Sequence, residues 1–383
     1  MIYLDNGATS FPKPVPVRRA VERALTRCAN PGRGGYGAAM EAAETVFRCR
    51  ELAGELFGCS PDRVAFAGSC TQALNTAIGT LVKPGERVVI SGFEHNAVTR
   101  PLHALGAEIR VTGRKLFDWE DTLESFENAL KEGAKAAVFT CCSNVFGYIL
   151  PVMELSALCR KYGVPFVLDG AQGGGSMELS LEKTGAAFIA APGHKGLLGP
   201  QGVGILFCGR DPDPLIYGGT GSNSRDWRMP DFLPDRLEAG TVNVPGIAGL
   251  SAGLSLVKKL GPDRIGKREA AMAAYCADLL EKEGIRVFRG PHQSGVLSFL
   301  PPVDPEELGR LLAERGICIR AGLHCAPLAH ESAGTLETGT VRVSFGPEAA
   351  PWQAERLAGT VTEIVTKMKK SANSYCHPGS NPL

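Results

Sequence analysis

The chain has 383 residues, of which 44% are hydrophobic, and its 41 Lys and Arg residues balance 40 Asp and Glu residues. This balance argues against a nucleic-acid partner or an anionic membrane surface, because both require a basic patch. No apolar run approaches the roughly 18 residues that a membrane-spanning helix needs. The N-terminus has neither the basic stretch nor the apolar run of a signal peptide, so we expect no secretion.

The 12 cysteines and 47 glycines are the unusual features of the composition. The cysteines are scattered and form no C-x-x-C pair, which argues against a disulfide framework and a zinc ribbon. We therefore expect free thiols and a cytoplasmic protein. Many glycines lie in short loops between apolar runs, where the backbone turns tightly or approaches a ligand.

Between residues 63 and 208, seven short apolar runs alternate with helical patterns. The predicted strands are residues 63–67, 87–91, 108–112, 136–140, 165–169, 188–191 and 203–208. The predicted helices are residues 71–81, 96–105, 118–131 and 153–161. This alternation predicts an α/β fold with right-handed crossovers and a mostly parallel sheet. Some runs are apolar throughout, which indicates a sheet covered by helices on both faces.

Beyond about residue 250 the pattern changes to longer helices and shorter strands. The predicted helices are residues 245–260, 263–283, 305–314 and 351–368, and the predicted strands are residues 286–288, 295–300 and 341–345. This region is typical of a smaller α+β domain. We expect a large domain of residues 16–250, a small domain of residues 251–370 that includes the segment 1–15, and a flexible tail of residues 371–383.

Two ionisable residues follow predicted strands, where a covered parallel sheet binds its ligands. Asp169 ends an apolar strand, and its carboxylate is costly to bury unless a cation meets it; the alternative is a helix cap. Lys195 lies in a Gly-rich loop after the next strand, where a lysine can lose its proton and form a Schiff base. The alternative is a solvated surface lysine. The loop lacks the nucleotide-binding P-loop pattern.

Two further strand ends carry candidate groups. The turn Gly68-Ser69-Cys70-Thr71 offers backbone N–H groups and hydroxyls that suit a phosphate. A capping box is equally compatible, because Gln72 follows Ser69 by three residues. His95 follows another strand, where it could stack on a flat ring or transfer protons; otherwise it only begins the next helix.

The C-terminal half contributes a thiol and a cation. Cys325 lies between His324 and a nearby arginine in a Gly/Pro-containing loop, a setting that favours a thiolate. Cys325, His324 and His330 could also be metal ligands, but no second Cys/His cluster accompanies them, so we predict no metal site. Arg342 is a lone cation on an apolar strand, where an arginine usually meets a carboxylate of the protein or of a substrate.

The order and spacing of these residues together resemble the cysteine desulfurase/selenocysteine lyase group of class V aminotransferase-like enzymes, which are fold-type I pyridoxal 5'-phosphate (PLP) proteins. The resemblance extends from Tyr3 to about residue 368. Its most specific motifs are Asp169-x-x-Gln172, His194-Lys195 and Arg320-Ala-Gly-x-His324-Cys325-Ala. It implies a seven-stranded, mostly parallel sheet with a smaller C-terminal domain.

For the cofactor ring, the resemblance implies that Lys195 bonds covalently to PLP and later moves the Cα proton. Asp169 would pair with the pyridinium nitrogen and keep the ring electron-accepting. Gln172 would contact the ring hydroxyl, and His95 would stack on the ring face.

For the cofactor phosphate, the resemblance implies binding by the turn around Cys70 and Thr71 together with His194. Thr241 would reach the phosphate of the partner subunit, which implies a homodimer.

For the substrate, L-cysteine or L-selenocysteine, the resemblance implies that Arg342 binds the α-carboxylate with help from Asn144. Arg320 would also bind substrate, and Arg320 and His324 would help to keep the nearby thiol ionised. Cys325 would accept the sulfur as a persulfide, leaving alanine.

Only 16 residues separate Cys325 from Arg342, which is similar to the short-loop, SUF-like subgroup. Such a loop implies a shielded thiol that benefits from a dedicated acceptor protein. Three positions depart from the family pattern: Pro192 and Cys70 replace hydroxyl residues near the expected phosphate, and Gly7 replaces the commoner alanine.

Three other functions stay open at this point. The same fold and cofactor could serve an aminotransferase, a racemase or a β-lyase acting on another amino acid. The chain could instead be a non-catalytic sulfur or selenium carrier. A Cys-His thiol hydrolase is a weaker alternative, because no third residue that would orient the histidine is identifiable.

Overall fold

The computed structural model describes residues 1–32 and 34–375. Within this part of the chain there are 13 strands. They are β1 (Ile2–Tyr3), β2 (Val64–Ala67), β3 (Arg87–Ser91), β4 (Glu108–Thr112), β5 (Ala136–Thr140), β6 (Phe166–Asp169), β7 (Phe188–Pro192), β8 (Gly204–Cys208), β9 (Arg286–Phe288), β10 (Val296–Leu300), β11 (Ile317–Cys318), β12 (Arg320–Gly322) and β13 (Thr340–Ser344).

The same described ranges contain 12 α-helices and a short 3-10 turn, Pro61–Arg63. The α-helices are α1 (Val15–Arg27), α2 (Gly37–Phe57), α3 (Cys70–Leu81), α4 (Asn96–Ala104), α5 (Trp119–Lys131), α6 (Val152–Lys161), α7 (Leu181–Thr184), α8 (Val244–Leu260), α9 (Pro262–Lys282), α10 (Pro305–Glu314), α11 (Pro327–Ala333) and α12 (Pro351–Tyr375).

The larger sheet has seven strands in the order β2-β8-β7-β6-β5-β3-β4. All its pairings are parallel except those of β8, which runs antiparallel to both β2 and β7. The predicted α/β fold with a mostly parallel seven-stranded sheet is therefore confirmed. The strand ends differ from the predicted ends by no more than one residue.

Helices cover both faces of this sheet, which explains the uniformly apolar strand sequences. Along β5, Ala136 and Val138 pack in the cluster that contains α3 and α4. Their neighbours Ala137 and Phe139 pack in the opposite cluster with α2 and α5. Because successive side chains point to opposite faces, a strand between two helical layers needs an apolar residue at every position.

The C-terminal region builds a four-stranded antiparallel sheet in the order β12-β13-β10-β9. Its own hydrophobic cluster contains side chains of α9, α10 and α12, together with Leu4 from the N-terminal segment. The N-terminal strand β1 pairs with β11 in parallel. These contacts support the proposed assignment of residues 1–15 to the small domain, although the proposed boundary at residue 250 falls inside α8.

Two helices before residue 63 were not predicted from the sequence. Helix α1 buries only Val17 and Ala24, and α2 buries mainly small residues such as Ala39, Ala42 and Ala53. The small side chains that α2 buries give only a weak hydrophobic period, whereas α1 is amphipathic but polar on average; tertiary packing holds both helices in place.

The last helix, predicted to end at residue 368, continues to Tyr375. No Gly or Pro lies between residue 368 and Pro378, so the sequence has no helix-breaking residue at the predicted end. The rest of the predicted tail, including Cys376, lies outside the described residues. None of the described helices is both long and hydrophobic enough to cross a membrane.

Candidate active site

A cavity of about 240 Å³ lies at the carboxyl ends of the parallel strands. It is bounded on the other side by the N-terminal segment and the small sheet. Twelve predicted site residues line it: Cys70, Thr71, His95, Asn144, Asp169, Gln172, His194, Lys195, Arg320, His324, Cys325 and Arg342. The folded chain therefore brings together residues that are up to 272 positions apart, between Cys70 and Arg342. Thr241 is the exception, because it lines a separate surface cleft with Arg50 and Glu238.

Lys195 enters the cavity from the turn that follows β7. The turn packs closely against the loop after β6: a Cβ on Gly196 would lie 2.3 Å from the carbonyl oxygen of Gly174. Burial and then the charge of Arg342 lower the pKa of Lys195. A lysine with a lowered pKa holds a larger fraction of neutral amine, which is the form that attacks a carbonyl carbon.

Asp169 stands at the end of β6 and is 2% exposed. One carboxylate oxygen accepts a hydrogen bond of 2.9 Å from the Ala171 backbone N–H, but Asp169 forms no ion pair with the described residues. Burial raises its pKa, opposed by that hydrogen bond and by Lys195. A buried acid without a cationic partner is costly, so this position suits a positively charged ligand group.

The turn before α3 forms the predicted cap and also leaves an anion site. The Ser69 hydroxyl accepts from the Gln72 backbone N–H at 3.1 Å, and the Gln72 side chain accepts from the Gly68 N–H at 2.8 Å. The N–H groups of Cys70 and Thr71 have no intrahelical partner, since they begin the helix. Both functions of the turn are therefore compatible, and the helix dipole favours an anion here.

Gly204 allows this turn to lie directly on β8. A Cβ at Gly204 would be 2.2 Å from the backbone carbon of Ser69. The Cys70 thiol points towards Asp169, with 4.0 Å between its Sγ and Oδ1. Burial, and then Asp169, raise the pKa of Cys70 well above its usual value, so the thiol stays protonated.

His95 caps helix α4 and also lines the cavity, so its capping role does not remove the ring from the cavity. Its Nδ1 accepts a 3.0 Å hydrogen bond from the Ala97 backbone N–H. Burial and then Lys195 lower its pKa to about 4. The ring is neutral near pH 7, and its proton is on Nε2 because Nδ1 acts as an acceptor.

Glu94 fixes the strand end that carries His95. It is fully buried, and one of its oxygens accepts from the Ser91 hydroxyl on β3 and from the Thr140 N–H on β5. Burial raises the pKa of Glu94 to about 8. This carboxyl group therefore ties together two neighbouring strand ends below the cavity.

The N-terminal segment closes one side of the site. The Gln172 amide donates to the Gly7 carbonyl oxygen at 3.0 Å, and His194 Nδ1 lies 3.1 Å from the Thr9 hydroxyl. Lys13 donates to the His194 carbonyl oxygen at 2.7 Å. Burial and then Lys195 lower the pKa of His194 to about 4, so its ring offers a neutral N–H rather than a charge.

Arg342 meets a carboxylate of the protein itself. It is 2% exposed, and its Nη2 donates to Asp5 Oδ1 at 2.6 Å. Its Nη1 donates to the Asn144 carbonyl oxygen at 2.9 Å. Asp5 is a site residue that sequence reasoning missed. The sequence feature that could have identified Asp5 was its position directly after the apolar pair Tyr3-Leu4, at the start of the region that resembles the family.

Cys325 is exposed at the mouth of the cavity, on a loop in an unusual conformation. His324 and Cys325 have φ values of 52° and 57°, a region that residues other than glycine rarely adopt. Two tethers hold the loop: Asn144 donates to the His324 carbonyl oxygen at 2.9 Å, and the Asn96 N–H donates to the Cys325 carbonyl oxygen at 2.8 Å.

The expectation that His324 helps to ionise the thiol is wrong. The His324 ring is buried, with its Nε2 3.2 Å from the Thr340 carbonyl oxygen. Burial and then Arg342 lower its pKa to about 2. His324 lines the cavity, but a neutral ring supplies no positive charge to Cys325. Within the described residues no cluster of three or more His, Cys, Asp or Glu could hold a metal ion.

The residues present fit PLP. The unpaired Asp169 matches a protonated ring nitrogen, the free N–H groups of the α3 turn match a phosphate, and Lys195 has the lowered pKa that an amine needs to react with an aldehyde. The neutral His95 ring lines the same cavity.

The comparisons with known proteins agree with this chemistry. The chain is 32% identical over 379 residues to a probable cysteine desulfurase of Methanothermobacter thermautotrophicus, covering 95% of this chain and 94% of that protein. It is 33% identical over 395 residues to a probable cysteine desulfurase of Pyrococcus abyssi, covering 97% and 96%. The apo structure of a cysteine desulfurase from Thermococcus onnurineus NA1 superimposes with a TM-score of 0.87 and 28% identity, covering 96% and 95%.

The family model of the class V aminotransferases matches residues 2–357, nearly the whole chain. Enzymes of this family depend on PLP. The protein therefore belongs to the class V aminotransferase family.

Proposed function

We propose that the protein is a PLP-dependent cysteine desulfurase, which converts L-cysteine to L-alanine and keeps the sulfur as a persulfide on Cys325. The observation that carries the proposal is the exposed Cys325 thiol at the mouth of the cavity that holds Lys195 and Asp169. Its relatives named as cysteine desulfurases support the same reaction.

PLP, when bound, would supply an aldehyde that bonds to the substrate amine and an electron-accepting ring that weakens the bonds at Cα and Cβ. Lys195 acts at the substrate Cα, where its neutral amine can take up the proton. Its lowered pKa suits this role, since a base works best with a pKa close to the working pH.

Asp169 contributes a fixed negative charge at the bottom of the cavity. Among the described residues a single backbone N–H donates to it, so it retains acceptor capacity for a protonated ring nitrogen. At the opposite end, the N–H groups of Cys70 and Thr71 and the His194 ring would hold the phosphate. Pro192 supplies no hydroxyl there, which places more of the phosphate binding on the backbone of the α3 turn.

Cys325 accepts the sulfur. Its thiolate sulfur bonds to the substrate sulfur as the Cβ–S bond breaks, and the electron pair of that bond remains on Cβ, which takes up a proton. Cys325 thereby becomes a persulfide and the substrate carbon skeleton leaves as alanine. Arg320 has no hydrogen bond or ion pair with the described residues and is the cation in the same cavity that remains open to an anion.

A homodimer completes the proposal. Thr241 lines a cleft outside the cavity, beside the exposed Phe47. The neighbouring surface exposes Tyr217 and Trp227, and the latter is fully exposed. Exposed aromatic side chains close together indicate a binding surface, and a second copy there would bring Thr241 towards the other subunit's phosphate. We also propose a cytoplasmic location and, from the short loop after Cys325, a dedicated sulfur-acceptor protein.

The test supplies L-cysteine and L-selenocysteine separately and measures alanine and the released sulfide or selenide. We expect Lys195→Ala to lose all turnover and the visible absorption of bound PLP. Cys325→Ala should keep the absorption and lose at least about 99% of alanine formation from cysteine. Cys59→Ala, a half-buried thiol outside the cavity, is the matched control.

Each alternative gives a different result. An aminotransferase or a β-lyase acting on another amino acid would be unaffected by Cys325→Ala. A sulfur or selenium carrier would show no PLP absorption that borohydride abolishes. Turnover of selenocysteine alone would identify a selenocysteine lyase instead of a desulfurase.

A further inference from the structure

We propose that Asp5 sets the net charge of the substrate-carboxylate site, so that the site accepts substrates with one carboxylate and discriminates against those with two. This inference rests on the proposed function and adds a residue that determines its substrate class. Asp5 would act on the substrate through charge, while Arg342 and Arg320 make the contacts.

Two arginines lie side by side at the site. Arg320 on β12 and Arg342 on β13 are direct register partners in the antiparallel sheet. Side chains at such paired positions start only about 5 Å apart, and like charges there repel one another. Both arginines line the cavity. Without compensation, the small sheet would present two positive charges to a substrate that carries one carboxylate.

Asp5 neutralises one of these charges. Its Oδ1 accepts from Arg342 Nη2 at 2.6 Å, and the two side chains are only 19% and 2% exposed. Screening by water is weak at such positions. The Arg342 Nε is buried without a partner among the described residues, and the Arg320 guanidinium forms no ion pair with them. One net positive charge therefore remains for an incoming anion.

The other ionisable groups of the cavity do not change this net positive charge of one. His95 and His324 are neutral near pH 7 because burial lowers the pKa of both rings, and each ring also has a hydrogen-bonding contact. Lys195 and Asp169 lie on the large-sheet side, where they serve the cofactor. A second substrate carboxylate would thus find no second uncompensated cation beside Arg342.

The Asp5 side chain is not needed to hold its own segment. The backbone of Asp5 forms a bridge to Ser344, and its carbonyl oxygen accepts from the Ala8 N–H at 3.0 Å. The Gly7 N–H donates to the Ser344 hydroxyl at 2.7 Å. These contacts hold the segment without the carboxylate, whose charge acts directly on Arg342.

The test titrates the PLP-loaded enzyme with butanoate and with succinate, which share a four-carbon chain and differ by one carboxylate. Binding is measured by calorimetry at constant ionic strength. In Asp5→Asn the Asn oxygen can still accept from Arg342, so the geometry is retained and the charge is lost. We expect the succinate-to-butanoate affinity ratio to rise at least about tenfold, because a unit charge as far as about 12 Å from the second carboxylate already contributes this factor at an effective dielectric constant of about 20.

Two further variants complete the test. Asp278→Asn removes a carboxylate from another Asp–Arg pair, at 2.6 Å from Arg289 and away from the cavity, and should leave the ratio unchanged. Arg320→Gln should lower the succinate-to-butanoate affinity ratio. This variant provides the test if Asp5→Asn does not fold, because Arg320 is exposed and forms no ion pair with the described residues.

An unchanged ratio in both Asp5→Asn and Arg320→Gln would overturn the inference. The outcome is separable from the proposed function, because the binding ratio does not depend on turnover. If the wild-type enzyme formed no alanine from cysteine while the ratio still shifted, the desulfurase proposal would fail and the charge assignment would stand.

Discussion

The two walls of the cavity differ in whether their buried charged groups are paired. On the large-sheet wall, Asp169 and Lys195 form no ion pair within the part of the chain that the structure describes. Burial raises the pKa of Asp169 and lowers the pKa of Lys195. On the small-sheet wall, Arg342 is paired with Asp5 at 2.6 Å. Unpaired buried groups need a permanent ligand to compensate them, whereas a paired arginine is stable before any ligand arrives.

This difference indicates that the two walls suit different ligands. The large-sheet wall stands at the ends of rigid, fully buried strands and suits a resident cofactor. The small-sheet wall carries Cys325 on a loop held by two hydrogen bonds, and it suits a substrate that enters and leaves. The predictions that follow challenge each wall separately, in order of expected effect.

Replacing Asp169 by Asn tests the large-sheet wall. The amide has nearly the same shape but carries no charge, so it cannot hold a ring nitrogen protonated. We expect turnover to fall by about a hundredfold or more, as for other electrostatic groups in active sites. The absorption spectrum of the bound cofactor should also change. The same spectrum in Asp169→Asn and wild type would contradict the assigned role, and Asp278→Asn again serves as the control.

Acid should destabilise the protein through its buried neutral histidines. The pKa values of His95, His194 and His330 are lowered to about 4 in the folded state, from about 6.5 in the unfolded chain. As pH falls below 6.5, the unfolded state binds protons that the folded state does not. Stability should therefore decrease, by at most about 1.4 kcal/mol per pH unit for each histidine.

Urea unfolding between pH 7 and pH 4.5 measures this slope. Replacing His330 by Asn should make the slope shallower, because the variant has one fewer group that gains a proton on unfolding. An identical slope in the two proteins would contradict the interpretation of His330 as neutral and buried.

Loosening the thiol loop tests the small-sheet wall and should have the smallest effect on stability. Asn144→Ala removes the hydrogen bond to the His324 carbonyl oxygen, which costs about 1 kcal/mol. We expect faster amide hydrogen exchange in residues 323–326, with unchanged exchange in β5 and β6. Equal protection of the loop in both proteins would show that Asn144 does not hold it.

The sequence predicted the large sheet well because its physical signal is local. Strands such as Ala136–Thr140 are apolar at every position but the last and are separated by helices of ordinary length. The ends of these strands then located Asp169, Lys195 and His95, since parallel strands end at one edge of the sheet. The small helices and strands around the Cys325 loop, such as Pro327–Ala333, gave no comparable pattern.

The partner of Arg342 could not be predicted in the same way. Asp5 lies 337 residues from Arg342, and only the pairing of the N-terminal segment with the small sheet brings the two together. The state of His324 was equally inaccessible, because its neutral form depends on burial and on a contact with Thr340. The charge state of a group in a folded site depends on how far the fold removes that group from water. Its neighbours in the sequence do not determine this.

The central claim is that Cys325 receives the substrate sulfur inside the cavity that holds Lys195. Its most direct measurement is the mass of the peptide containing Cys325, taken from the PLP-loaded enzyme after brief exposure to L-cysteine and alkylation. We predict a gain of one sulfur atom on this peptide, and no such gain in Lys195→Ala. Alanine formation with the added sulfur on a different cysteine, or on none, would contradict the account.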